Sequence, residues 1–306
     1  MTDGGSYPLT GGSLTVAGGT LTFAGTGSYT GGTSVSGGAL LLSGSLAGGL
    51  TVLSGGAFGV APGGTLNNSG GTTLNLGLLV NGGTMLGDLF NAGSAANGGT
   101  ITGNVLNVGT FANNGVLNGG VTNAGTLGGS GTIRGNVSNG GTVAPGNSIG
   151  TLSVAGTYTQ TAAGTYAAEV AGNGQSDLLN VGGTATLQGG SVYVYAQPGT
   201  TYAPRTTYRI LNAAGGLSGT FASVNELYPF LLSSLSYDAS NAYLTLEIGG
   251  FASAAATPTQ AAVGTVLDAN VSNASGDFAT VLSAMATGVQ SDGAAQAALQ
   301  QLSGNN

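Results

Sequence analysis

GDLFNAGSA (87–95), GNVLNVGTF (103–111), GGVTNAGTL (119–127) and GNVSNGGTV (135–143) are one phrase written four times, sixteen residues apart. The register holds column by column. Asn91, Asn107, Asn123 and Asn139 align, as do Gly93, Gly109, Gly125 and Gly141. Leu89, Val105, Val121 and Val137 form one apolar column; Met85, Ile101, Leu117 and Ile133 form another. A fixed period with an Asn column, Gly columns and apolar columns is the signature of a solenoid, in which equivalent side chains stack. Working outward, Ser13-Leu-Thr-Val-Ala17 and Gly19-Thr-Leu-Thr-Phe-Ala24 read as brief strands with one face buried, and GG, NG and SG pairs read as turns. Strands this short make a core only when each coil pairs with the coils above and below.

The Asn column predicts a role at turns, because Asn tolerates left-handed backbone and bonds its own main chain. It also predicts amide-to-amide hydrogen bonds along the stack, as in cross-β ladders.

Composition narrows the function. The chain has 306 residues, of which 62 are Gly and 41% are hydrophobic. The regular spacing of the apolar residues argues against disorder. So much Gly is tolerable only where corners need positive φ or coils approach closely. Charged residues are 4% and the net charge is −7, with Arg134, Arg205 and Arg209 as the only basic side chains. Phosphate contacts need clustered Lys and Arg, which argues against nucleic-acid binding. There is no Cys, His or Trp. An exported chain of this kind would draw stability from repeat stacking rather than disulfides. The start, MTDGGSYPLT (1–10), lacks the basic and apolar regions of a signal peptide, so the natural chain is expected to extend upstream.

Three segments follow. Residues 1–147 are the repetitive solenoid. Residues 148–250 carry less Gly, frequent Tyr and longer strand candidates: Thr151–Thr159, Gly164–Val170, Ser191–Ala196, Thr206–Asn212 and Ala242–Ile248. They read as a β-rich cap over an otherwise open coil end. Residues 251–306 read as two or three short helices, with Thr257-Pro258 as N-cap and first position and breaks near Asn273–Gly276 and Gly288–Gly293. Val263, Val266, Leu267, Phe278, Val281, Leu282 and Met285 fall at helical spacing and are expected to pack as core.

No motif supports catalysis. Gly146-Asn-Ser148-Ile-Gly150 matches the nucleophile-elbow pattern, but the chain has no His and a strand follows instead of a helix. The acids are Asp3, Asp88, Glu169, Asp177, Glu226, Asp238, Glu247, Asp268, Asp277 and Asp292. None falls between Asp88 and Glu169, where a glycosidase or lyase groove would need them. Most of them read as solvated loop or strand-edge groups. The turns carry Asn and Gly where calcium-binding repeats carry Asp, and a chain without Cys or His offers no ordinary zinc site. No cofactor and no metal is expected.

Several phrases carry a resemblance. AGTGSYTGGTSVSGGALLL (24–42) looks like the passenger-associated transport repeat of autotransporters. GTVAPGNSIGTL (141–152), with its turn Pro145-Gly146-Asn147, resembles the phrase that ends such passengers' coils. SDLLNVGGTATL (176–187) and YRILNAAGGLSGTF (208–221) are similar to the module that follows. Residues 259–304 resemble the helical junction before the translocator barrel. The five matches stand in order over nearly the whole chain.

The resemblance implies an all-β, right-handed parallel β-helix or solenoid with a β-rich C-terminal cap, often called the autochaperone, followed by short α-helices. It implies a type V secreted protein at the Gram-negative outer membrane, exposed at the cell surface or extracellular. Its partners would be its own C-terminal translocator barrel, absent from this sequence, and the outer-membrane assembly machinery, with host or cell-surface glycans or proteins as adhesion targets and a part in virulence. The expected role is a non-catalytic stalk and folding module. The alternative is the scaffold portion of an autotransporter enzyme, such as a subtilisin-like protease or esterase, whose catalytic domain lies upstream. The sixteen-residue period is shorter than the family's usual coils and implies narrow coils or a locally irregular stack. In the folding mechanism this implies, residues 148–249 form first around Val154, Tyr166, Val194, Ile210 and Leu246 and template the coils above.

Overall fold

A computed structural model describes residues 12–304, together with the backbone of residues 2–3 and 6–7; the side chain of Glu226 is outside the description. The reading of the first ten residues, and the side chains of Asp3 and Glu226, therefore lie largely outside the described residues. The chain is 49% strand and forms a parallel β-solenoid with three short helices at its C-terminal end.

One repeat shows how the phrase folds. Thr100–Ile101, Val105–Asn107 and Thr110–Asn113 are three strands separated by corners, so each coil has three faces. Each strand pairs in parallel with its equivalent one coil later: Thr100 with Val116, Val105 with Val121, Thr110 with Thr126. The sequence columns thus become physical columns. From Leu78 to Thr142 the coils keep this sixteen-residue offset, whereas the coils before them are longer and uneven, Ala39 facing Ala57 and Ala57 facing Leu78. One face is a sheet of 12 strands running from Thr2–Asp3 to Ser223–Glu226. The other two faces merge where Thr65–Asn75 and Thr84–Asn91 each run around a corner unbroken.

Alternation puts Ile101, Val105 and Phe111 inside and their neighbours outside. Met85, Leu117 and Ile133 are equally buried above and below Ile101. At roughly 1.5–3 kcal/mol for each fully buried large side chain, these stacked columns supply the driving force that single short strands lack.

The corners explain the glycines in two ways: Gly19, Gly55 and Gly63 have positive φ with open space around them, whereas others are fixed by close approach. A Cβ placed on Gly109 would sit 2.1 Å from the carbonyl oxygen of Gly93, and one on Gly125 would sit 2.0 Å from that of Gly109. Neither glycine has positive φ. Successive coils touch backbone to backbone there, leaving no room for a side chain.

The parallel stack continues past residue 148, and its coils lengthen. Asn136 pairs with Thr157 across 21 residues, Gly150 with Asp177 across 27, and Asn180 with Asn212 across 32. The wider interior holds Tyr158, Tyr166, Tyr202 and Tyr208, all fully buried. Val154, Tyr166, Val194, Ile210 and Leu246 are core residues, at 2% exposure or less. The expected strand Thr151–Thr159 is two strands, Thr151–Val154 and Tyr158–Gln160. Gly156 makes the corner between them, since its Cβ would lie 2.6 Å from the Gly135 carbonyl oxygen.

Arg205–Ala213 is where the architecture changes. One edge pairs in parallel with Leu178–Val181; the other pairs antiparallel with Asn241–Ile248, which pairs antiparallel with Leu231–Tyr237. The antiparallel strands cover an edge that would otherwise remain open.

Helices α1 (Pro258–Asn270), α2 (Gly276–Gly288) and α3 (Asp292–Leu302) follow, with a 3-10 turn at Val271–Asn273. Thr257 and Gln260 form a capping box at the start of α1. The Asp268 carboxylate accepts hydrogen bonds from the backbone N–H groups of Phe251 and Ala252, at 3.1 and 3.0 Å. The Tyr202 N–H donates to Ser283 Oγ at 2.7 Å, tying α2 to the cap. Leu282 is buried, and Val263, Leu267 and Met285 pack partly. Val266, Phe278 and Val281 are 62%, 41% and 50% exposed, so the helices are less fully packed than their apolar spacing predicts. Among the described residues no helix is long and apolar enough to cross a membrane.

Candidate functional site

The predicted Asn column is a continuous ladder of buried amides. Nδ2 of Asn75 donates to Oδ1 of Asn91, Asn91 to Asn107, Asn107 to Asn123 and Asn123 to Asn139, each at 2.7 Å. Every amide points the same way. The second N–H of Asn91, Asn107 and Asn123 reaches the backbone carbonyl of Thr110, Thr126 and Thr142 at 2.9 Å. These groups are buried and satisfied, which is what makes a polar column tolerable inside a stack. The left-handed backbone expected of the Asn residues is absent: Ser148 is the only non-glycine with positive φ among the described residues. Each Asn ends a strand with its side chain turned inward, where it bonds along the stack and also donates to the carbonyl two residues on, as Asn107 does to Gly109 at 3.2 Å and Asn123 to Gly125 at 3.1 Å.

A second ladder escaped the sequence reading. Asn81 donates to Asn97 and Asn97 to Asn113, again at 2.7 Å. The signal was present as NGGT at 81–84 and 97–100. The column is short because its next members are Gly129 and Pro145.

Pro145, Gly146 and Asn147 lie where the sixteen-residue coils give way to longer ones. Pro145 is buried on the inner column, Gly146 has φ +87°, and Asn147 is exposed. Asn147 Nδ2 reaches back over two coils, donating to Asn114 Oδ1 at 2.8 Å and Ser130 Oγ at 3.3 Å. Ser148 follows at φ +95°, a strained value for a side chain with a Cβ. It sits in a turn between two strands, and no helix follows it.

Asp177 departs from the expectation of solvated acids, with only 2% exposure. Its two oxygens accept from the backbone N–H groups of Gly150 (2.9 Å) and Glu169 (3.1 Å), clasping the turn to the next coils. Burial pushes its carboxyl up to about 7, against the opposing pull of those two hydrogen bonds.

Beside this turn opens a cleft of about 540 Å³, lined by Ser148, Glu169, Tyr195, Gln197, Tyr228 and Gln290. Glu169 and Tyr195 are direct neighbours on adjacent strands. Tyr228 is buried, and its hydroxyl meets the Ala196 backbone, receiving its N–H at 3.1 Å. A shallower concavity of about 580 Å³ over the N-terminal coils is lined by Ser, Thr, Gly and Leu, without a titratable group. Among the described residues no cluster of three or more Cys, Asp or Glu could hold a metal.

No protein-family model matches the chain, and no curated protein matches it. The geometry establishes a repetitive parallel β-solenoid, consistent with a β-helix passenger domain.

Proposed function

We propose that this chain is the non-catalytic stalk and folding module of a Gram-negative autotransporter passenger, displayed at the cell surface. The observation that carries the reading is the C-terminal end of the stack. There the parallel coils widen around buried Tyr158, Tyr166, Tyr202 and Tyr208 and close on the antiparallel strands Asn241–Ile248 and Leu231–Tyr237. This is the arrangement a stack needs if its last coils must form first and template the rest. The ordered phrases at 24–42, 141–152, 176–187, 208–221 and 259–304 support the same reading.

In this mechanism a translocator barrel and the outer-membrane assembly machinery are the partners, and no ATP-driven step is needed. An isolated sixteen-residue coil buries too little to offset its ordering. The larger core at the C-terminal end supplies a nucleus, and each later coil adds onto a finished edge. The polar, nearly uncharged outer faces then serve as a stalk with many weak contact points.

Reading the frame downstream of codon 306 tests the assignment. Amphipathic, barrel-coding strands there support it; a stop codon removes the export argument. The folding mechanism has its own test in the refolding of the full chain. Tyr166→Ala is expected to slow refolding strongly, whereas Phe111→Ala acts mainly on unfolding. Equal refolding rates for the two would rule out nucleation at the cap.

A further inference from the structure

The cleft beside Ser148 holds polar groups that the protein does not use. Among the described residues, Ser148 Oγ, the Glu169 carboxylate, the Tyr195 hydroxyl and the side-chain amides of Gln197 and Gln290 make no hydrogen bond to a protein group, yet they line one space. They come from four places in the chain: the strained turn, the strand Thr165–Val170, the strand Ser191–Ala196 with its exit, and the link between α2 and α3. The Tyr228 hydroxyl anchors that wall to the Ala196 backbone.

An exposed aromatic ring beside these groups narrows the ligand class. Tyr195 is 44% exposed, and Tyr193, on the same face two residues earlier, is 38% exposed. Tyr193 is flanked across the sheet by Ala167, which leaves its ring open, and by Asn225. Aromatic rings of this kind offer an apolar face with a polar edge. A purely apolar ligand would strip water from the Glu169 carboxylate and the amides without replacing it. An anionic ligand would meet Glu169 and a chain of net charge −7. A neutral sugar meets both demands, since its C–H face covers a Tyr ring while its hydroxyls donate to a carboxylate and pair with amides.

We infer that this cleft is a carbohydrate-binding site for a neutral hexopyranose unit, with Tyr195 as the stacking platform and Glu169 as the hydroxyl acceptor. Tyr193 extends the platform toward a second unit of the same polysaccharide. The inference rests on the surface-displayed reading for where such a sugar would be met, whereas the binding is a property of the purified chain and stands or falls without export.

Titration calorimetry on the full chain with cellotetraose, maltotetraose and sialyllactose tests it. A neutral tetrasaccharide is expected to bind, with the affinity retained in about 1 M salt, where the screening length is only about 3 Å. Tyr195→Ala and Glu169→Gln, both surface substitutions, should each weaken it about tenfold or more, the loss expected for a stacking or charge-assisted contact. Leu78→Ala, exposed on the same sheet but remote from the cleft, should bind as wild type does. Circular dichroism confirms that the variants keep the fold. No heat with either neutral sugar would overturn the inference. So would tighter binding of sialyllactose, or an affinity that both cleft substitutions leave unchanged. Salt-sensitive binding of pentalysine in place of the sugars would reassign the cleft to cationic peptides and overturn it equally.

Discussion

The Asn139 side-chain amide donates to Gln160 Oε1 at 2.9 Å, across a coil that has grown to 21 residues. The longer glutamine carries the ladder one coil beyond the regular repeats. Tyr158 closes it by donating its hydroxyl to the same Oε1, and burial holds that hydroxyl protonated well above its ordinary range. Among the described residues Gln160 Nε2 is left buried without a partner. Above Asn75 the column continues as Val52, and below Gln160 as Leu187. The polar ladder is therefore a defined internal segment between apolar ends.

Removing a middle rung should cost more than removing an end. Asn107→Ala takes the donor from Asn123 Oδ1 and the Thr126 carbonyl, and an acceptor from Asn91. We expect a loss of about 1–3 kcal/mol in urea unfolding. Asn75→Ala breaks one fewer bond along the ladder and should cost roughly 1 kcal/mol less. A middle rung no costlier than the end would mean that the ladder does not act as a connected unit.

Two glycine-to-alanine changes should differ sharply. Gly109→Ala drives a Cβ to 2.1 Å from a backbone oxygen and must separate two coils, at a cost of about 1–3 kcal/mol or more. Gly18→Ala meets nothing within 4 Å and should fall within about 0.5 kcal/mol of wild type. Thermal unfolding of both variants checks the contrast.

Gly264→Ala should invert the usual helix preference. Alanine normally stabilises a helix interior by about 1 kcal/mol relative to glycine. At Gly264 the added Cβ would lie 2.5 Å from the backbone of Phe251 and Ala252. The variant should loosen α1 from the cap, seen as faster amide exchange at Phe251 and Ala252, whose N–H groups Asp268 holds. Unchanged exchange there would mean that α1 does not depend on this close approach.

Stability should fall as pH rises from about 4 to about 7. The Asp177 carboxyl titrates near 3.9 when unfolded and is pushed up to about 7 when folded. Between those values the folded state holds a proton that the unfolded state has lost, so this group's contribution is full below the lower value and gone above the higher one. Asp177→Asn should flatten that part of the pH profile of unfolding. A slope unchanged in the variant would assign it to another group.

The repeat phrase was enough to read the architecture. Columns such as Met85–Ile101–Leu117–Ile133 are visible at fixed spacing and become the core directly. The helical ending was legible as two or three short helices, because Thr257-Pro258 and the glycine breaks are local signals. Less legible was whatever depends on neighbouring coils. The corner at Gly156 interrupts what reads as one strand, since only contact with Gly135 marks it as a corner. Burial of Asp177 depends on Gly150 and Glu169 arriving from other coils. The cleft gathers Ser148, Glu169, Tyr195 and Gln290 over more than a hundred residues of sequence, with no spacing to announce it.

The repeats also make length an editable property. Because ladder partners stand 16 residues apart, excising 103–118 would bring Asn123 beneath Asn91, with the same atoms facing one another. The molecule would shorten by one strand spacing, about 4.8 Å, without an internal seam. Excising only 103–110 would instead set Gly115 against Asn91 and Val121 against Asn97, breaking both ladders. Growth by duplication of whole repeats, and loss by their deletion, are thus the length changes this interior accepts, so related chains should differ in reach by whole rungs.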